Sequence, residues 1–315
     1  MVTKYRIGLL CLSIIILAGI VWYANPAQLM ANIVKIDYRL VAIAFLVANL
    51  SIVFRVLKWS VLLENRVGFR ELLPVQLFGM TISNFTPGKV GDPIKSVVLK
   101  LSNKLDVSKT LPSVIWERIA DIFVLVALAL SSIALMFQTF GSNFMIISFA
   151  GLGVFAAIIA VLLTILHHQK LGKRLFGLLG RLPGLKITPD FTNSFYQNAR
   201  TKRVAIAKCG VWTFLAWVCD ALVFYLVLLS LGTDLSPILL MGIFALSVII
   251  GIASFLPGGL GSTEVVMVLI LGMFGVANTV AVSGILVARF LTFWYVAMLG
   301  GASFLYLAKK VNLKF

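Results

Sequence analysis

Asn84-Phe-Thr-Pro-Gly-Lys-Val-Gly-Asp92 and Ser254-Phe-Leu-Pro-Gly-Gly-Leu-Gly-Ser262 are the stretches on which the reading of this chain turns. Both spell Phe-x-Pro-Gly-x-x-Gly, 170 residues apart, and each interrupts a long apolar stretch, 72–100 and 237–272. Proline withholds an N–H from the helix ladder, and glycine opens the left-handed backbone. A Pro-Gly pair in mid-stretch therefore predicts a broken, re-entrant helical hairpin rather than a clean crossing.

The surroundings place those hairpins in a membrane. Of 315 residues, 61% are apolar and 12% charged, and the mean hydropathy is +1.06. A soluble domain is closer to half apolar and a quarter charged. This balance excludes a water-soluble globular enzyme, a disordered chain and a disulfide scaffold. Apolar runs near 20 residues indicate helices rather than a β-barrel. Full-length spans are expected at 7–24, 39–63, 110–137, 144–166, 209–231 and 279–307. The fold class is thus an all-α polytopic membrane protein, with about six full spans plus two Pro-Gly-broken hairpins. Residues 1–24 mimic a signal peptide, with Lys4 and Arg6 before an apolar run, but the many spans that follow favour an uncleaved first helix.

The net charge of +16 tests the topology. Nineteen of the 27 basic residues fall where they can share one side: Lys4 and Arg6; Arg66 and Arg70; Lys100, Lys104 and Lys109; nine between Lys170 and Lys208; and Lys309, Lys310 and Lys314. Lys35 and Arg39 lie near the other side, and the turns 138–143 and 273–278 carry no charge. The positive-inside rule then puts both termini on the cytoplasmic side of the cell membrane, with 167–208 as a basic cytoplasmic loop that meets anionic lipid. Each broken stretch must enter and leave by one face, the first from the cytoplasm and the second from outside. No basic stretch belongs to a soluble domain, so nucleic acid is not an expected partner. Cys11, Cys209 and Cys219 are scattered and read as structural thiols, and His167 and His168 as interface residues. No metal or cofactor is implied.

Eleven ionisable groups remain embedded: Arg55, Lys58, Lys89, Lys95, Arg118 and Arg289, with Asp92, Glu117, Asp121, Asp220 and Glu264. Such groups are costly at membrane depth unless they pair or face a polar cavity. Their placement extends the repeat. Glu117-Arg-Ile-Ala-Asp121 lies opposite Ala288-Arg-Phe-Leu-Thr292, with Arg118 matching Arg289. Each half reads span, broken hairpin, span, over 39–137 and 209–307, and the charge count inverts one half relative to the other. Inverted repeats with interrupted helices are a transporter signature.

The elbow residues suit anion binding. Helices that follow Pro87 and Pro257 are expected to aim free N–H groups inward, and Gly88, Gly91, Gly258, Gly259 and Gly261 let a ligand approach the backbone. Lys89 adds a full charge, and Arg118 and Arg289 forked donors. Asp92 either joins this site or serves as a first-turn carboxylate. Glu264 either pairs with Arg289 or Arg118 or carries a coupling proton. Glu117 and Asp121 share a helix face, and either hold a proton between them or neutralise Lys89, Lys95 or Arg55.

Phe85-Thr-Pro-Gly-Lys-Val-Gly-Asp92, Glu117-Arg-Ile-Ala-Asp121, Phe255-Leu-Pro-Gly-Gly-Leu-Gly-Ser-Thr-Glu264 and the late Arg289 resemble the lysylphosphatidylglycerol synthase transmembrane-region family, the flippase-like integral membrane proteins. The resemblance runs over nearly the whole chain, 10–305. It implies movement of lipids between leaflets, and it carries over to Pro87, Gly88, Gly91, Asp92, Glu117, Arg118, Asp121, Pro257, Gly258, Gly259, Gly261, Glu264 and Arg289. The sequence ends at Phe315, just past its last span, so a member without the aminoacyl-transferase domain is expected.

These readings converge on a lipid flippase whose substrate carries phosphate: a phospholipid, an aminoacyl-phosphatidylglycerol or a polyprenyl-phosphate-linked lipid. No GxxxxGK[ST] motif is present, so active transport is expected to draw on an ion or substrate gradient. No catalytic group is recognised. The alternatives are a membrane glycosyltransferase, disfavoured by short outer loops with only Asp37 and Asp234 as acids, and an accessory subunit docked to a lipid synthase or glycosyltransferase.

Overall fold

The computed structural model describes residues 2–89, 91–103, 105–179, 188–199 and 201–311, and their side chains except those of 2–7, 133–152, 154–155, 175, 178–179 and 189. Val90 of the first motif, Lys104, Arg181, Lys186, Arg200 and Lys314, and the side chains of Lys4 and Arg6, lie outside the described residues.

The chain opens with α1 (Val2–Tyr23) and α2 (Pro26–Val34), which meet at an angle of 78°. Asn25 sets the bend, because its side chain accepts from Ala27 N–H at 3.2 Å and Pro26 starts the new helix. Asp37 caps α3 (Tyr38–Leu62) through Arg39 N–H at 2.8 Å. The first broken stretch is α4 (Phe69–Asn84), a 3-10 turn at Pro87–Lys89, and α5 (Ile94–Asn103). Then follow α6 (Val107–His167), α7 (Gln169–Leu179), α8 (Pro189–Asn198) and α9 (Arg203–Ser230). The second broken stretch is α10 (Pro237–Ala253), a 3-10 turn at Pro257–Gly259, and α11 (Ser262–Met273). The chain closes with α12 (Asn278–Arg289), a π-turn at Phe290–Trp294, and α13 (Tyr295–Lys310). No strand occurs among the described residues.

Among the described residues, α3, α9 and the α12–α13 run are each long and apolar enough to cross a membrane, and the bent pair α1–α2 adds a fourth candidate. The sequence reading is corrected at one place and given more detail at another. The turn expected at 138–143 is absent: α6 continues through it, since Gly141, Ser142 and Asn143 weaken a helix but, unlike proline, remove no N–H from its ladder. The loop 167–208 carries two helices, α7 and α8, the second started by Thr188, which accepts from Phe191 N–H at 3.2 Å.

Packing brings the two broken stretches together. Helices α3 and α9 lie side by side, tied where Ser51 Oγ donates to the Ala216 carbonyl at 3.1 Å. Helix α4 packs on α13 and α10 on α6, so each broken stretch rests on a long helix from the other part of the chain. Both contacts set a glycine against a hydroxyl, Gly300 on Thr81 and Gly242 on Ser132. Small residues let backbones approach in a membrane, where burial of apolar surface no longer drives association. The main apolar core, with Phe224, Leu228, Leu240, Ile243 and Leu271, joins α9, α10 and α11 to α3 and α12.

Candidate functional site

The elbows touch. A Cβ on Gly258 would lie 2.8 Å from the Asn84 carbonyl oxygen and 2.4 Å from Phe293 Cε2, and the Phe85 and Phe293 rings meet edge to face at 5.6 Å. Phe293 belongs to the π-turn that follows Arg289, a helical irregularity often found at functional sites.

Within the first elbow, Gly88 has φ +59° and Lys89 φ +56°. Lys89 N–H returns to the Thr86 carbonyl at 3.1 Å. Thr86 Oγ donates to the Ser83 carbonyl and accepts from Gly91 N–H, each at 2.9 Å. In the second elbow Gly258, Gly259 and Gly261 have φ +61°, +64° and +87°. Gly259 N–H goes to Leu256 O, and Gly261 N–H to Glu264 Oε2 at 2.6 Å. The free N–H groups expected at the tips are therefore corrected at Gly91 and Gly261: protein oxygens already hold both.

The outward-facing charge belongs to side chains. Arg118, from α6, pairs directly with Asp92, just past the first elbow, and lies 3.8 Å from Asp121. Arg289, from α12, pairs with Glu264, just past the second elbow, at 2.5 Å. The arginine side chains keep 28% and 18% of their surface accessible and the acids 4% and 2%, so the carboxylates stand behind and the guanidiniums face outward. Arg289 Nη2 is buried and makes no hydrogen bond.

Behind the first elbow lies a buried ion network. Lys58 Nζ sits 2.7 Å from Asp121 and 3.3 Å from Glu117. Lys95 pairs with Glu117 and reaches Gln76 at 3.2 Å. Trp217 Nε1 donates to Asp121 at 2.9 Å. Glu117 and Asp121 thus both meet Lys58, and Glu264 meets Arg289 rather than Arg118. Arg55 and Asp220 pair at 2.5 Å.

Between these groups is a cavity of about 90 Å³. One water occupies roughly 10–15 Å³ on such a measure, so there is room for a phosphate group but not for lipid tails. Arg55, Lys89, Arg118 and Arg289 line it, with Asp220 as the acid, and Gly258 and Thr263 bring the second elbow to its wall. Of the sequence-predicted residues, Lys89, Arg118, Gly258 and Arg289 face the cavity. Asp92, Glu117, Asp121 and Glu264 stand behind as counter-charges. Pro87, Gly88, Gly91, Pro257, Gly259 and Gly261 shape the elbows.

Sequence reasoning missed Trp217. Its ring carries the Arg55 guanidinium at 4.7 Å and the Lys89 ammonium at 5.6 Å. The available signal was a tryptophan in mid-span, away from the interfacial belts where tryptophans gather. Arg55 and Asp220 were legible as embedded charges but not as cavity residues.

A bundle of apolar helices around a cationic cavity defines the class, a multi-pass integral membrane protein. The chain belongs to the family described as lysylphosphatidylglycerol synthase TM region, whose model matches residues 10–300. It is 24% identical to a UPF0104 membrane protein of Methanothermobacter thermautotrophicus, over 97% of this chain and 96% of that protein. It is 22% identical to the glycosyltransferase AglD of Haloferax volcanii, over 81% of this chain and 47% of AglD. A third similarity, to phosphatidylglycerol lysyltransferase of Staphylococcus xylosus, is 32% identity over 29% of this chain and 11% of that enzyme.

Proposed function

We propose that this protein moves a phosphate-bearing lipid between leaflets, with the phosphate in the cavity where the elbows meet and the tails left in the bilayer. One observation carries the reading: four cations line a cavity with a single acid among them. A polar pocket of that sign at membrane depth costs free energy that an anionic headgroup offsets. We read 39–137 and 209–307 as inverted repeats, about six spans in all, with both termini cytoplasmic in the cell membrane and 167–208 as the basic cytoplasmic loop. The reciprocal rests of α4 on α13 and α10 on α6 support a two-fold relation between the repeats. On this reading the chain is a transporter without catalytic residues, and a lipid synthase or glycosyltransferase supplies its substrate.

Purified protein in liposomes with a labelled phospholipid tests this. Translocation is expected for the wild type, and a loss of about tenfold or more for Arg118→Ala and Arg289→Ala. Equal rates with and without protein overturn it. The printed name of AglD favours a second reading, sugar transfer onto a lipid; sugar transfer by the purified protein without translocation would establish that reading instead.

A further inference from the structure

We propose that the cavity selects a phosphodiester, whose single negative charge matches the one embedded cation the protein leaves unpaired, Lys89, and that it excludes a doubly charged phosphomonoester. The inference rests on the reading above and specifies its substrate class.

The charge count is closed. All eleven acids of the chain are among the described residues. Five are embedded, and each meets a cation: Asp92 with Arg118, Glu117 with Lys95, Asp121 with Lys58, Asp220 with Arg55, and Glu264 with Arg289. Five cations answer five acids. Lys89 is the sixth, and it makes no ion pair among the described residues. Its contact is the face of Trp217.

Lys89 also carries a second cost. Its φ of +56° is left-handed, a conformation that disfavours a long side chain. The matching position in the other elbow is Gly259, which has the same backbone without the side chain. Backbone strain and an unpaired charge coincide on one residue that lines the cavity, and strain of this kind gathers at ligand sites. Arg118 and Arg289 supply donors, including the free Arg289 Nη2, but their charges are already balanced. Lys89 alone therefore sets the net charge the cavity accepts. A diester carries one negative charge, and a monoester about −1.5 to −2 at pH 7. The second charge would stay uncompensated in a medium of low dielectric.

The test uses purified full-length protein in detergent and two short-chain probes that differ by one methyl group, dihexanoyl phosphatidylmethanol and dihexanoyl phosphatidic acid. Affinities are measured at a fixed pH of about 7, where the monoester already carries a charge of about −1.5 to −2. The diester is expected to bind at least about tenfold more tightly. Lys89→Gly, which suits the backbone, should abolish diester binding. Asp220→Asn frees the charge of Arg55 and should turn the preference toward the monoester, and Arg55→Gln with Asp220→Asn should restore the diester. Dimethyl phosphate separates the sources: binding without tails points to a soluble diester, binding only with tails to a lipid, and both sustain the charge rule. Equal or tighter monoester binding by the wild type overturns it, as does retained diester binding in Lys89→Gly, which decides the matter even if Asp220→Asn does not fold. Diester selectivity without translocation would remove the flippase reading and leave this one standing, and translocation without selectivity would do the reverse.

Discussion

At the first elbow a lysine holds φ +56°; at the matching place in the second elbow a glycine holds φ +64°. A side chain at Gly259 has no room, because a Cβ there would lie 2.6 Å from Thr263 Oγ1 and 3.0 Å from the Gly251 Cα. The elbows also secure their last glycine differently. Gly91 N–H goes to the Thr86 hydroxyl at 2.9 Å, and Gly261 N–H to the Glu264 carboxylate at 2.6 Å. A charge-assisted bond is the stronger of the two. The same motif therefore serves two ends. The second elbow is an anchor, pressed on α10 and capped by a carboxylate that also pairs with Arg289. The first, capped by a hydroxyl, presents charge to the cavity.

The largest effect that tests this division comes from the carboxylates. Glu264→Ala removes the cap on Gly261 and leaves Arg289 without its partner, a buried loss worth about 3–5 kcal/mol. Asp92→Ala leaves Arg118 within 3.8 Å of Asp121, so about half that cost is expected. Thermal or denaturant unfolding in detergent would rank them. A larger loss for Asp92→Ala would mean that the first elbow is the anchor, and the comparison would invert.

A middle-sized effect is expected where the elbows touch. Gly258→Ala puts a methyl group 2.8 Å from the Asn84 carbonyl oxygen at φ +61°. Left-handed strain of about 1–2 kcal/mol adds to overpacking of similar size, for roughly 2–4 kcal/mol in all. Gly301→Ala, in α13 with open space around it, serves as the control and should lose neither stability nor transport. If Gly258→Ala behaves like the control, the elbows are not in firm contact.

The elbows were legible because Pro-Gly in an apolar run has few physical readings, and the repeat of Phe-x-Pro-Gly-x-x-Gly fixed their equivalence. The embedded charges were equally plain, since each contradicts its hydropathy. Their partners were not. Glu264 faces Arg289 rather than Arg118, and Lys58 divides Glu117 from Asp121, because pairing depends on which helices pack together. That choice lies in small residues such as Gly300 and Gly242, whose meaning appears only beside Thr81 and Ser132. Helix α2 was missed although Asn25-Pro26 carries a cap and a first-turn proline, because nine residues are too short to register as a span. The continuity of α6 across 138–143 was missed because glycine, serine and asparagine suggest a turn without enforcing one.

The smallest expected effect has the opposite sign, and it separates the roles of the elbows most sharply. Lys89→Gly gives the first elbow the residue of the second. It relieves left-handed strain of about 1–2 kcal/mol, and against this the unfolded chain gains roughly 0.4–1 kcal/mol of backbone freedom. The cation–π contact with Trp217, long at 5.6 Å, contributes about 0.5–1 kcal/mol. Removal of an unpaired embedded charge is favourable as well. The variant should therefore be as stable as the wild type or more stable by up to about 1 kcal/mol, while lipid translocation falls. A loss of stability together with activity would make Lys89 a structural residue and the first elbow a second anchor. Retained stability with lost transport would mean that the protein carries strain and charge at Lys89 for its ligand, because nothing in the fold needs a side chain there.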